Sequence, residues 1–77
     1  MFYVAETGAN EFVNNQALWS KVASKDLTGA KRAATNARMF QRTAAWVGKL
    51  GADGVVQPVA VKRCDAISGR QSTWVDL

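Results

Sequence analysis

Thr43-Ala44-Ala45-Trp46-Val47-Gly48-Lys49-Leu50-Gly51-Ala52-Asp53-Gly54-Val55-Val56-Gln57-Pro58-Val59-Ala60-Val61-Lys62-Arg63 is the stretch whose reading decides the fold. Thr43 to Leu50 reads as one strand and Val55 to Arg63 as the next, because β-branched and aromatic residues dominate both. Between them Asp53-Gly54 is a strong hairpin signal, since the turn needs a residue that accepts positive φ. In the second strand Val55, Val59 and Val61 alternate onto one side together with Gln57. Pro58 lacks an amide hydrogen, so this strand is expected at a sheet edge or with a local bulge.

Toward the C-terminus, Cys64 to Gln71 reads as a polar loop containing Ser68-Gly69, and Ser72 to Asp76 as a short closing strand around Trp74 and Val75. Toward the N-terminus the period changes. Leu27, Ala30, Ala34 and Ala37 recur at spacings of three and four, a narrow apolar stripe of a helix. Asp26 or Thr28 is placed to cap its start, Gly29 weakens the first turn by about 1 kcal/mol relative to alanine, and Met39 and Phe40 are expected to close it. The stripe is mostly alanine, so the helix can lie close against a sheet. Lys31, Arg32, Thr35 and Arg38 fall off the stripe and are expected to face water. Before the helix, Ala17 to Ala23 reads as a strand with Leu18 and Val22 on one side, Trp19 and Lys21 on the other. Gly8-Ala9-Asn10 reads as a turn, and Phe2 to Glu6 as the first strand. The order is β-β-α-β-β-β. The expected fold is α+β, a single antiparallel sheet of about five strands with one α-helix packed on one face, and residues 1–77 as a single domain.

Composition agrees with a globular domain: 77 residues, 48% hydrophobic and 21% charged, without repeats or low-complexity tracts. A chain this short buries only about 60% of its unfolded surface, so its core is thin. No apolar run approaches the roughly 20 residues that span a bilayer. The start, Met1 to Glu6, lacks the basic and long apolar stretches of a secretion signal. The one cysteine, Cys64, excludes an internal disulfide. These features together give a cytoplasmic expectation.

Catalysis finds little support. Histidine is absent, which removes the usual general base near neutral pH and the commonest metal ligand. Cys64 without histidine forms neither a Cys/His zinc site nor a Cys–His nucleophile. Beside Arg63 it can be a reactive thiol, though a lone loop cysteine is more often incidental. The acids are scattered singly, with Asp53 and Asp65 reading as turn formers. Gly51 and Gly54 lack the lysine and following helix of a phosphate-binding loop. No enzyme activity, cofactor, metal or small-molecule substrate is expected.

Binding has more to work with. Ten Lys or Arg against six Asp or Glu leave a net charge of +4. Such a balance favours anionic partners, or merely keeps a small domain soluble. The helix carries Lys31, Arg32 and Arg38, with Arg42 beyond, and no acid occurs between Leu27 and Ala52. An ordinary solvated helix mixes signs to gain pairing. Lys62, Arg63 and Arg70 extend this patch or form another. Tyr3, Trp19, Trp46 and Trp74 are a second set, available either as packing or, beside cations, as a platform for single-stranded nucleic acid.

Asp26-Leu27-Thr28-Gly29-Ala30-Lys31-Arg32-Ala33-Ala34-Thr35, followed by Phe40 and Thr43, resembles one group of type I-F anti-CRISPR proteins, small phage and mobile-element products. The closing segment looks alike too, with Val61-Lys62, a loop, and then Trp74-Val75-Asp76. About a dozen positions carry the resemblance, and after Leu50 this chain has extra loop residues. The resemblance implies a five-stranded antiparallel sheet with one helix, in line with the reading above. It also implies an inhibitor that binds backbone subunits of the crRNA-guided Cascade complex and occupies the path of the target DNA. Its partner-binding residues carry over to Lys31 and Arg32, to Lys62 on the fourth strand, and loosely to Tyr3. Asn36 stands where the family has a further helix lysine, for which Arg38 can compensate. The rival expectation is a small basic accessory protein that binds DNA directly and non-specifically.

Overall fold

The computed structural model describes residues 1–8, 11–37, 43–63 and 73–77. Its elements are β1 (Phe2–Gly8), a short 3-10 turn (Gln16–Leu18), β2 (Ser20–Lys21), α1 (Leu27–Ala37), β3 (Thr43–Leu50), β4 (Val56–Lys62) and β5 (Val75–Asp76). The five strands form one sheet in the order β2-β1-β3-β4-β5, with every neighbouring pair antiparallel. The expected α+β class, strand order along the chain and single helix all hold. Among the described residues no helix is long and apolar enough to cross a membrane. The expectations on Ala9, Asn10, Arg38, Met39, Phe40, Arg42, Cys64, Arg70 and the loop they bound lie outside the described residues.

The β3–β4 hairpin forms as the turn chemistry demands. Gly54 sits at φ 80°, the Gly54 amide donates to the Gly51 carbonyl at 3.1 Å, and the Val55 amide donates to Asp53 Oδ1 at 3.1 Å. Asp26, rather than Thr28, caps α1: its Oδ1 accepts from the Gly29 amide at 2.7 Å. Ala30 and Ala34 then lie flat on Val4, Ala45, Val47 and Ala60, with Leu27 packed beside them. Their small side chains let the helix backbone approach the sheet closely.

Alternation along the strands sends a second set to the opposite face. There Ala44, Trp46, Val56 and Val61 are covered by Val13 and Trp19, which come from the segment between β1 and β2. Trp46 is wholly buried, and its Nε1 donates to Thr7 Oγ1 at 2.8 Å. Phe12 meets its ring edge-on, at a centroid distance of 4.9 Å. The tryptophans at 19 and 46 are therefore packing residues.

Two local expectations are overturned. Ala17 to Ala23 is not one strand. Asn15 Oδ1 accepts from the Ala17 amide at 2.9 Å and bends the chain into the 3-10 turn, so only Ser20 and Lys21 pair with β1. Leu18 is exposed as a result. Gln16 anchors this turn, its amide donating to the Val56 carbonyl at 3.1 Å and accepting from the Val56 amide at 2.9 Å. The second correction concerns β4. The register slips between Val47 and Gly48, where Ala60 faces Val47 and Pro58 faces Gly48. Pro58 thus sits at a bulge in an interior strand, one of the two placements its missing amide allows. The extra residue inverts the phase: Val56 and Val61 share the Trp46 face, while Val59 joins the helix side.

Candidate anion-binding surface

In register, Ser20, Val4, Val47, Ala60 and Asp76 form one row across the sheet. Ala60 lies under α1, so the next residue in the row, Asp76, emerges at the helix flank. Lys31 follows Ala30 around the helix and meets it there. Its Nζ is 3.1 Å from Asp76 Oδ1 and 5.9 Å from the centre of the Trp74 ring. The lysine side chain is 23% exposed and the aspartate 71%. The expectation of a free, water-facing Lys31 is corrected: it is partly buried and paired with Asp76, with its Nζ over the Trp74 ring. These partners are 45 residues apart in sequence, so no local pattern announces them.

The other expected contact residues divide. Arg32 is exposed and makes no ion pair with a described carboxylate. Arg38 is outside the described residues. Lys62 stands opposite Ala45 on the helix side, partly buried and without an ion pair. Tyr3 packs on the other side of the sheet, and its hydroxyl approaches Met1 Sδ at 3.9 Å. Lys31, Arg32 and Lys62 therefore belong to the helix side, and Tyr3 is separated from them by the sheet. Just past β4, Arg63 is placed over the Trp46 ring at 5.1 Å, a cation–π contact beside the second core.

Sequence reading missed three cations that the fold leaves bare. Lys21 on β2, Lys25 in the loop before α1, and Lys49 on β3 are all exposed and without an ion pair. Their signal lies in where the carboxylates go. Asp26 accepts from a helix amide, Asp53 from a turn amide, and Glu6 from Thr43 Oγ1 at 2.7 Å, while Asp76 takes Lys31. Four of the six acids are thus engaged elsewhere, and no described carboxylate forms an ion pair with Lys21, Lys25 or Lys49. Lys21 and Lys25 line one open groove of about 370 Å³ with Met1, Val22, Ala23 and Ser24. A second groove, about 340 Å³, lies beside β1 between Glu11, Phe12, Leu18 and Thr43. No family model, curated protein or solved structure matches the chain.

Proposed function

We propose that this chain works by binding, and that its partner is a type I crRNA-guided Cascade complex whose DNA path it blocks in the bacterial cytoplasm. The observation that supports an anionic partner is Arg32, exposed on the outer face of α1 with no counter-ion among the described residues. The choice of a Cascade complex rests on the resemblance carried by residues 26–43. Such a guanidinium is free to form bidentate hydrogen bonds with a carboxylate or a phosphate. A guide complex recognises nucleic acid in a positively charged channel. A basic inhibitor does not mimic DNA there, but seeks acidic side chains or exposed RNA phosphate and excludes the target by bulk. Lys62 on the same side of the sheet is a second contact, and a few such anchors supply most of an interface's affinity.

Direct nucleic-acid binding is the second reading, resting on the same bare cations. It lacks a stacking platform in Trp19 and Trp46, since both are buried. The two readings separate in one experiment: capture of purified complex, and in parallel of a naked oligonucleotide, at low and moderate salt. The expected result is capture of the complex, lost by Arg32→Glu at unchanged thermal stability. Lys31→Glu is the wrong probe, because it sets a glutamate against Asp76. Full capture by Arg32→Glu overturns the assignment. Capture of DNA alone, with affinity falling steeply as salt rises, favours the second reading.

A further inference from the structure

The outer edge of the sheet at β2 has a surface of defined chemistry. β2 ends the strand order, so its far side has no described neighbour. The Val22 amide donates inward to the Phe2 carbonyl at 3.1 Å. Backbone groups in an antiparallel pair alternate inward and outward, so the amide and carbonyl of Lys21 point away from β1, toward solvent. The groove containing Lys21 and Lys25 opens at this same edge, with Met1 exposed as an apolar border. Neither lysine has a carboxylate partner.

We infer that this edge takes up an extended acidic peptide segment of a partner protein, pairing main chain to main chain at Lys21 and setting carboxylates against Lys21 and Lys25. Adding a strand to an open edge supplies affinity through the backbone, and the flanking side chains supply selectivity. Charge decides the occupant. A second copy pairing antiparallel about Lys21 brings lysine against lysine, and like charges directly opposite are destabilising. A short edge carrying lysine is a known guard against self-association. The same lysine is an attraction to a strand bearing Glu or Asp. This surface lies apart from Arg32 in the chain's architecture, and it stands or falls independently of the Cascade reading.

The test is an NMR titration of the amide-labelled protein with a capped peptide of alternating valine and glutamate. The Lys21 and Ala23 amides are expected to shift most and to gain protection from hydrogen exchange. Lys21→Glu combined with Lys25→Glu should weaken binding about tenfold or more. A peptide with proline in place of every valine carries the same charge but lacks half the amides and resists the extended pairing, and should bind more weakly. Equal binding of the proline peptide overturns strand pairing. So does tighter perturbation of the same amides by a single-stranded oligonucleotide, or a dimer in sedimentation that protects the Lys21 amide.

Discussion

Replacing Thr7 by valine removes one oxygen and keeps the shape, and that oxygen sits at the border of the second core, beside the groove along β1. Thr7 Oγ1 accepts the Trp46 indole proton at 2.8 Å, and its own hydrogen lies within reach of the Gly8 carbonyl at 3.0 Å and the Glu11 carbonyl at 3.1 Å. Trp46 is 0% exposed, so its indole donor is cut off from bulk water once the acceptor is lost. An orphaned buried donor costs about 1–3 kcal/mol. Taking about 2 kcal/mol, a domain of this size loses roughly 8–16 °C in Tm. Urea denaturation followed by far-ultraviolet circular dichroism measures the change. The companion variant is Trp46→Phe, which removes the donor. In the double variant the orphan vanishes, so its cost should fall short of the summed single costs by about 1–2 kcal/mol. A Thr7→Val protein within about 0.5 kcal/mol of the parent, or strict additivity in the cycle, would refute the role given to this hydrogen bond.

Gly48 is the residue over which Trp19 lies: a Cβ there would stand 2.5 Å from Val56 Cγ1 and 2.8 Å from the Trp19 ring. Gly48→Ala is therefore expected to destabilise by about 1–3 kcal/mol, with a red shift of tryptophan emission as the ring is lifted. An unchanged spectrum and midpoint would mean that the ring is not seated there. Asp76→Asn releases Lys31 from an exposed partner. It should cost less than about 1 kcal/mol globally, yet speed exchange of the Leu77 amide, which donates to the Val59 carbonyl at 2.9 Å. A large global loss, or unaltered exchange at Leu77, contradicts the description of β5 as a strand strapped by that pair.

The segments that were legible in advance are those whose physics is local. Asp53-Gly54 is a strong hairpin signal in its own right, and the alanine stripe of α1 lets the helix lie close against a sheet. The sequence offers Asp26 or Thr28 as the cap, and the fold selects Asp26, whose carboxylate accepts from the Gly29 amide. Residues 17–23 misled because their apolar alternation resembles a strand. Asn15 turns the backbone first, and Gln16 finds the Val56 backbone 40 residues away. In β4 the composition foresaw a bulge or an edge at Pro58, but the side on which each valine falls depends on where the register slips.

Residue order alone established an α+β fold with a hairpin, a helix cap and a surplus of positive charge, because periodicity, turn chemistry and net charge belong to neighbouring residues or to the sum of all. Only the folded chain decided which cations remain available. Lys31 lost its freedom to Asp76 through a row of cross-strand neighbours, whereas Arg32, one position on, kept it. Electrostatic pairing acts over a few ångströms of space, and the distance between residues 31 and 76 is set by the register of the strands between them.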